Sequence, residues 1–203
     1  MSDIMSISRL RMGTDGQGFT TLIGFYGCPL DCKYCGNKQC HDSSTPRADY
    51  SAEELSTLLS IDEMYFLMTG GGVTFGGGEP LLQADFIHEL CEIMPKKWRR
   101  TMETSLYSPW EKIDLLISDI DYWIVDVKDV NDDIYKAYTG KSNSIVLDNL
   151  KRLVDKAGPN KVLVRLPIIP KYNDLSDRGK SEDYIWSTVH PDIKVDHFEY
   201  LRI

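Results

Sequence analysis

The sequence predicts an α/β fold in which six consecutive βα units form a partial TIM-type barrel. Short β-branched runs alternate with longer segments of helical periodicity, which is typical of a parallel sheet with helical crossovers. The chain has 203 residues, whereas a closed eight-unit barrel needs about 250, so we expect the barrel to remain open. No polar linker interrupts the pattern, and residues 1–203 are therefore expected to form a single domain.

Six strands are predicted from their apolar and β-branched character. They cover residues 19–26, 71–75, 100–104, 122–127, 162–167 and 197–202. The helices predicted around them cover residues 51–60, 82–95, 110–118, 131–138, 146–156 and 180–189. Ser51 and Glu54 have the spacing of a capping box, which supports the first helix. Phe86, Ile87, Leu90 and Met94 share one face of the second helix, which predicts that this face is buried.

Composition excludes several classes of function. The formal net charge is -8 and the pI is about 5.0, which argues against binding to nucleic acid or to an anionic membrane surface. The sequence contains no apolar run of a length that would span a bilayer or act as a secretory signal, so we expect a cytoplasmic protein. Four of the five cysteines lie between Cys28 and Cys40, a clustering that indicates a metal site more than a disulfide framework.

Three cysteines follow the first predicted strand at a fixed spacing. Cys28, Cys32 and Cys35 are separated by three residues and then by two. Three thiolates can hold three irons of a cubane and leave the fourth iron without a protein ligand, open to a substrate or cofactor. The alternative is a structural zinc site, for which Cys40 or His41 would supply the fourth ligand.

Further polar residues occur where the other predicted strands end. A glycine run at 76–78 leaves peptide groups free to bond a ligand. Asp126 and Lys128 share one face of their strand and are expected to point into the barrel, unless they lie at a solvated strand end. Arg165 interrupts an apolar run, so it should meet either an anionic cofactor or an internal carboxylate, Asp126 or Glu103. Barrel enzymes place their chemistry at this edge.

The cysteine spacing, with Tyr34 before the last cysteine, resembles the signature of radical SAM enzymes. The wider sequence is most similar to the activating enzymes of pyruvate formate-lyase and other glycyl radical enzymes. Residues 15–18 look like the Asp-Gly-Pro-Gly entry of that family, with Gln17 in place of proline. The other segments that carry the resemblance are residues 70–80, 125–128, 138–143, 147–150 and 165–174.

The resemblance implies a set of site residues. Cys28, Cys32 and Cys35 would be the catalytic cysteines and hold one [4Fe–4S] cluster. The residues implied around S-adenosylmethionine (SAM) are Tyr34, Gly36, Asn37, Gly77, Gly78, Glu79, Asp126, Val127, Lys128 and Arg165. The positions of Glu103, Thr104 and Asp126 match those that hold a monovalent cation in the pyruvate formate-lyase activator, where an aspartate stands in place of Glu103. Two alternatives stay open: Asn37 could cap the following turn, and Tyr34 could shield the cluster.

The function implied by the resemblance is reductive cleavage of SAM to methionine and a 5′-deoxyadenosyl radical under anaerobic conditions. The radical would abstract a hydrogen atom from a glycine of a partner glycyl radical enzyme, and a flavodoxin- or ferredoxin-type protein would donate the electron. A stand-alone radical SAM enzyme acting on a peptide or small molecule is one alternative. A noncatalytic iron–sulfur or zinc-binding protein is another.

The sequence differs from the family in two respects, and the remaining expectations follow from them. No ferredoxin-like insertion follows Asn37, so a single cluster is predicted. The SAM-contacting histidine of the pyruvate formate-lyase activator has no counterpart, and neither His190 nor His197 is assigned a role. Cys40 is expected to be a free thiol. Cys91 is expected to lie in the core, because it falls on the apolar face of its helix.

Overall fold

The computed structural model describes residues 2–200, which form one seven-stranded sheet with its helices packed on one face. The strands are β1 (Ile4–Met12), β2 (Phe19–Phe25), β3 (Gly72–Gly77), β4 (Arg99–Thr104), β5 (Tyr122–Asp126), β6 (Val162–Ile168) and β7 (Lys194–Glu199). Their spatial order is their order in the sequence. β1 pairs antiparallel with β2, and every later pair is parallel. The sheet does not close, so the predicted partial barrel is confirmed.

The first strand was not among the six predicted. β1 covers the segment in which Ser and Arg alternate with apolar residues, and this alternation is itself a strand signal. β2 to β6 lie within about two residues of their predicted positions. β7 begins at Lys194, three residues before the predicted start at His197, and it includes His197. Residues 201 and 202 of the predicted strand lie outside the described part of the chain.

The helices are α1 (Ala52–Leu59), α2 (Glu63–Thr69), α3 (Ala84–Ile93), α4 (Trp110–Leu116), α5 (Asp132–Thr139), α6 (Ser144–Ala157) and α7 (Leu175–Tyr184). The capping box at α1 is confirmed, because Ser51 accepts from the backbone of Glu54 and Glu54 accepts from that of Ser51. α2 was missed: of its residues only Phe66 is buried, so it lacks an apolar stripe. α7 starts earlier than predicted because Asp174 caps it, and a π-helical turn follows at Ile185–Val189.

The two faces of the sheet carry different residues. Val73, Phe75, Met102 and Val125 belong to the hydrophobic core shared with the helices. The buried face of α3 and the core position of Cys91 are confirmed. Residues 13–18, which join β1 to β2, lie against the opposite face of the sheet. There the carbonyl oxygen of Asp15 accepts a 2.7 Å hydrogen bond from Thr74 Oγ1.

Among the helices of residues 2–200, none has the length and apolar composition that crossing a bilayer requires.

Candidate functional site

A cavity of about 350 Å³ lies at the carboxyl ends of the strands from β2 to β5. The lining residues that the sequence analysis had assigned to the site are Cys28, Cys32, Cys35, Gly36, Asn37, Gly77, Gly78, Glu79, Glu103, Thr104, Asp126 and Lys128. The other lining residues are Arg11, Asp15, Leu22, Leu30, Cys40, Ser105 and Tyr200. Most of the polar groups singled out from separate segments therefore share one cavity.

The cysteine loop leaves β2 through Gly27, whose φ of 91° lies in the region that favours glycine. Two backbone hydrogen bonds then anchor the loop to the end of α5: the amide of Asp31 donates to Thr139 O (2.9 Å) and that of Lys33 donates to Tyr138 O (3.2 Å). The end of β2 and the end of α5 thus hold the loop from two sides.

Burial governs the acidity of the thiols. It raises the pKa of Cys28 to about 12 and that of Cys32 to about 11. For Cys32 the positive charge of Lys128 acts in the opposite direction and favours the thiolate. The amide of Asn37 also donates to Cys35 Sγ at 3.3 Å. Cys28 and Cys32 therefore carry protons at neutral pH in the metal-free protein and would release them on binding a metal.

The glycine segment is held tightly against β2. A Cβ atom at Gly78 would lie 2.1 Å from the carbonyl oxygen of Gly27, and one at Gly77 would lie 2.6 Å from Gly24 Cα. The absent side chains thus serve close backbone packing, a reason that the sequence analysis did not foresee. Asn37 Nδ2 donates to Gly77 O at 2.8 Å. Asn37 makes no side-chain hydrogen bond that caps the following turn.

Glu79 is buried and its carboxylate is fully engaged. Oε1 accepts from Thr104 Oγ1 at 2.6 Å and from the amide of Leu81 at 3.3 Å. Oε2 accepts from both the amide (3.0 Å) and the hydroxyl (2.6 Å) of Ser105. Burial raises the pKa of Glu79, and the hydrogen bonds from Ser105 and Thr104 counter that effect. The carboxylate therefore ties the exit of β3 to the exit of β4.

Asp126 and Lys128 form an ion pair at the cavity wall. Lys128 Nζ lies 2.8 Å from Asp126 Oδ2 and 3.2 Å from the hydroxyl of Tyr200. Burial by itself would lower the pKa of Lys128, but Asp126, Tyr200 and Cys32 together outweigh this effect and the pKa stands well above its usual value. Asp126 Oδ1 is buried and has no hydrogen-bond partner within residues 2–200. The charged pair expected from strand alternation is present, with one carboxylate oxygen free for a ligand.

Arg165 meets an internal carboxylate, which is one of the two alternatives left open. Its guanidinium pairs with Glu103, and Arg165 Nε lies 3.8 Å from Asp196 Oδ2. Burial and the nearby charge of Asp126 raise the pKa of Glu103, whereas Arg165 lowers it. Glu103, Thr104 and Asp126, the three candidate cation ligands, line one cavity. All three already have side-chain partners, and Asp126 keeps one buried oxygen without a partner among residues 2–200.

Three of the residues implied around SAM do not line the cavity. Val127 is buried in the core, with its amide donating to Arg165 O at 3.1 Å. Arg165 lines a separate cavity. Tyr34 packs against the rings of Tyr138 and Tyr172, with centroid distances of 6.3 and 6.0 Å, beside the cysteine loop. That contact is compatible with the shielding alternative for Tyr34.

Sequence analysis missed several lining residues. Ser105 could have been found most easily from the sequence, because it directly follows Glu103 and Thr104, which had been assigned to the site. Asp15 stands in the segment that carries the family resemblance, and Arg11 pairs with it. Tyr200 becomes part of the wall through its contact with Lys128, which depends on how β7 is placed. Cys40, expected to be a free thiol and named as a fourth ligand only in the zinc alternative, is free and buried, and it lines the same cavity as the other three thiols.

Across the described range 2–200, no three His, Cys, Asp or Glu side chains are grouped around a point that could hold a single metal ion. A tetrahedral zinc site built from the cysteine loop and Cys40 or His41 therefore finds no support in the geometry. A cubane has four separate iron atoms, so its cysteines need not converge on one point.

Comparison with known proteins gives consistent results. The model of the Radical SAM superfamily matches residues 22–183. The chain is 36% identical to the (2S)-3-sulfopropanediol dehydratase activating enzyme of Klebsiella oxytoca, over 79% of this chain and 69% of that protein. It is 34% identical to the pyruvate formate-lyase-activating enzyme of Clostridium pasteurianum, over 86% of this chain and 71% of that protein.

Among solved structures, Streptococcus suis SuiB bound to precursor peptide SuiA superposes with a TM-score of 0.66 at 13% identity. The match covers 89% of this chain and 38% of SuiB, and at this identity it supports the fold alone. The family match and the two curated relatives carry the assignment further. The chain belongs to the radical SAM superfamily, whose enzymes use a [4Fe–4S] cluster and SAM, and within it to the glycyl radical enzyme activating enzymes.

Proposed function

We propose that this protein installs a glycyl radical on a partner enzyme by removing a hydrogen atom from one of its glycines. The observation that carries the proposal is the cavity at the strand ends, where three thiols, a glycine segment and a partly unpaired carboxylate meet. The relatives that are activating enzymes for other proteins support the choice of a protein substrate. We also propose a cytoplasmic location, because reducing compartments preserve free thiols such as the five cysteines here.

The residues present fit an iron–sulfur cluster with SAM beside it. Cys28, Cys32 and Cys35 supply soft thiolate donors, which iron–sulfur clusters require. The buried, unpaired Asp126 Oδ1 offers an acceptor for a cationic group such as the amino group of SAM. A Cβ atom at Gly36 would meet nothing within 4 Å, so the cavity is open beside the loop.

We assign distinct tasks to the surrounding residues. Cys28, Cys32 and Cys35 lose their protons and hold the cluster, and the amide of Asn37 stabilises the charge on Cys35. Lys128 keeps its positive charge at neutral pH and offsets the negative charge of the thiolates. When bound, the cluster and SAM supply the electron and the carbon radical that removes the glycine hydrogen.

Two further residues position the site. Glu79 is a positioning residue. Its two carboxylate oxygens accept hydrogen bonds from Thr104 and Ser105 at the end of β4 and therefore cannot also bind a ligand strongly. Asn37 links the cysteine loop to the glycine segment through Gly77 O. A flavodoxin- or ferredoxin-type protein is proposed as the electron donor, since the reaction needs single electrons at low potential.

Anaerobic reconstitution with iron and sulfide tests the proposal. Wild-type protein given reductant, SAM and a glycyl radical enzyme from the same genome should yield 5′-deoxyadenosine and a glycine-centred radical by electron paramagnetic resonance (EPR). Cys32→Ala should yield neither. Cys91→Ala is the matched control, because Cys91 lies in the core away from the cavity.

The possible failures differ in meaning. If 5′-deoxyadenosine forms but no partner acquires a glycine radical, the protein substrate is wrong and the stand-alone alternative takes its place. If Cys32→Ala retains the cluster and the product, the assignment of the cysteines is wrong.

A further inference from the structure

A fourth thiol belongs to the cavity that the three loop cysteines line. Cys40 lies on a short 3-10 turn (Lys38–His41) just after the loop, and its residue is 1% exposed. Two backbone hydrogen bonds fix its place: its amide donates to Asn37 O at 2.9 Å, and its carbonyl accepts from the amide of Gly27 at 3.1 Å. Cys40 is therefore held against both ends of the cysteine loop.

The surroundings of Cys40 differ from those of an ordinary buried cysteine. Cys91 is a member of the hydrophobic core, which is the usual environment of a buried free thiol. Cys40 is as thoroughly buried but is absent from that core. It faces instead the cavity that contains the other three thiols. Apolar packing thus explains Cys91 and leaves Cys40 unexplained.

Electrostatics also indicate that the four thiols are near one another. Burial raises the pKa of Cys40 to about 11, with further contributions from Cys35 and Cys32. The charge of Cys40 in turn contributes to the raised pKa of Cys28. Four sulfur donors around one cavity exceed by one the number that an open cubane uses.

We propose that Cys40 is a reversible fourth protein ligand, which binds the open iron of the cluster when SAM is absent and gives way when SAM binds. This inference rests on the proposed cluster. Cys40 loses its proton to solvent as the iron–sulfur bond forms. When SAM displaces it, that bond breaks and the thiolate recovers a proton, with no change in oxidation state. The exchange would keep the open iron covered between turnovers.

Iron release to a chelator, measured anaerobically on the reconstituted protein, tests the inference without an activity assay. In the absence of SAM, Cys40→Ala should release iron about tenfold faster than wild type, the scale expected for losing a supporting ligand interaction. At saturating SAM the two rates should converge, because SAM then covers the same iron. Cys91→Ala should match wild type in both conditions.

The affinity for SAM separates a displaced ligand from a merely structural residue. A displaced ligand competes with SAM, so Cys40→Ala should bind SAM more tightly than wild type. A variant that had only loosened the site would bind SAM more weakly. Without SAM, the EPR spectra of the reduced clusters should differ between wild type and Cys40→Ala. With SAM bound, the two spectra should be the same.

Equal iron release and identical SAM-free spectra for wild type and Cys40→Ala would overturn the inference, as would weaker binding of SAM. Should Cys40→Ala fail to fold, Cys40→Ser keeps the size of the side chain and replaces the sulfur by a poor ligand, so the same differences are expected. If wild-type protein takes up no cluster at all, the proposed function fails instead, and the two results cannot be confused.

Discussion

Replacing Gly78 by alanine tests whether the glycine segment is required for backbone packing. The new Cβ atom would lie 2.1 Å from the carbonyl oxygen of Gly27, whereas ordinary contact begins at 3.4 Å. The atoms in the way belong to the backbone, so the strands must separate by roughly 1 Å. The glycine before Cys28 would move with them.

The expected cost has two parts. Forcing an extra methyl group into a packed region costs about 1–3 kcal/mol. The separation also weakens the hydrogen bonds from Glu79 N to Gly27 O (2.8 Å) and from Gly78 N to Phe25 O (2.9 Å), each of which contributes about 1 kcal/mol. Gly78→Ala should therefore lower the free energy of unfolding by about 3–5 kcal/mol.

Urea unfolding of the metal-free protein under argon, followed by circular dichroism, measures this cost independently of any cofactor. Gly179→Ala is the matched control: a Cβ atom there meets nothing within 4 Å, and alanine favours the α7 helix by up to about 1 kcal/mol. A loss below about 1 kcal/mol for Gly78→Ala, at an unchanged dependence on urea, would refute the packing argument.

Two further predictions concern ion pairs away from the cavity. Asp62 is buried and accepts hydrogen bonds from Arg9 Nε (2.9 Å) and Thr21 Oγ1 (2.8 Å), so Asp62→Asn should lower the free energy of unfolding by about 1–3 kcal/mol at pH 7 in urea titrations; an unchanged midpoint would contradict this. The hydrogen bond from His88 to Asp119 (2.6 Å) raises the pKa of His88. Its stabilisation, about 0.5–1 kcal/mol for a partly exposed pair, is full below pH 6.5 and is lost as the pH rises through the raised folded pKa. The stability difference between wild type and His88→Asn should accordingly be larger at pH 6 than at pH 9, and equal differences at both pH values would contradict it.

The sequence predicted the parallel strands β2 to β6 well because each is a short run, mostly buried, that is separated from the next by a segment of helical periodicity. It missed β1, in which polar residues alternate with apolar ones along an edge strand. It also missed α2, where Met64, Leu67 and Met68 remain exposed and no amphipathic period appears. The alternation in β1 is a local strand signal that was available but not used. Short exposed helices such as α2 are defined by tertiary contacts, which local patterns do not contain.

The same distinction applies to the site. Cysteine spacing predicted the loop because three donors within eight residues must lie close together. The partner of Arg165 could not be chosen from sequence. Asp126 lies beside Arg165 in register on β5, and Glu103 lies one strand further away on β4. Arg165 nevertheless pairs with Glu103, while Asp126 pairs with Lys128. The position of Cys40 in the cavity wall could not be predicted without the geometry of the 3-10 turn, because a thiol five residues beyond the loop can point either toward the cavity or away from it.

The segment that joins β1 to β2 has a consequence for the folding pathway. Its carbonyl groups bond residues far along the chain: Asp15 O accepts from Thr74, and Thr14 O accepts from Arg165, 151 residues away. Such non-local contacts can form only after β3 and β6 have joined the sheet, and they slow folding because long loops must close first. We therefore expect this segment to dock in a late kinetic phase of folding. During refolding, the amides of the strands should become protected from exchange early and those of residues 13–18 late.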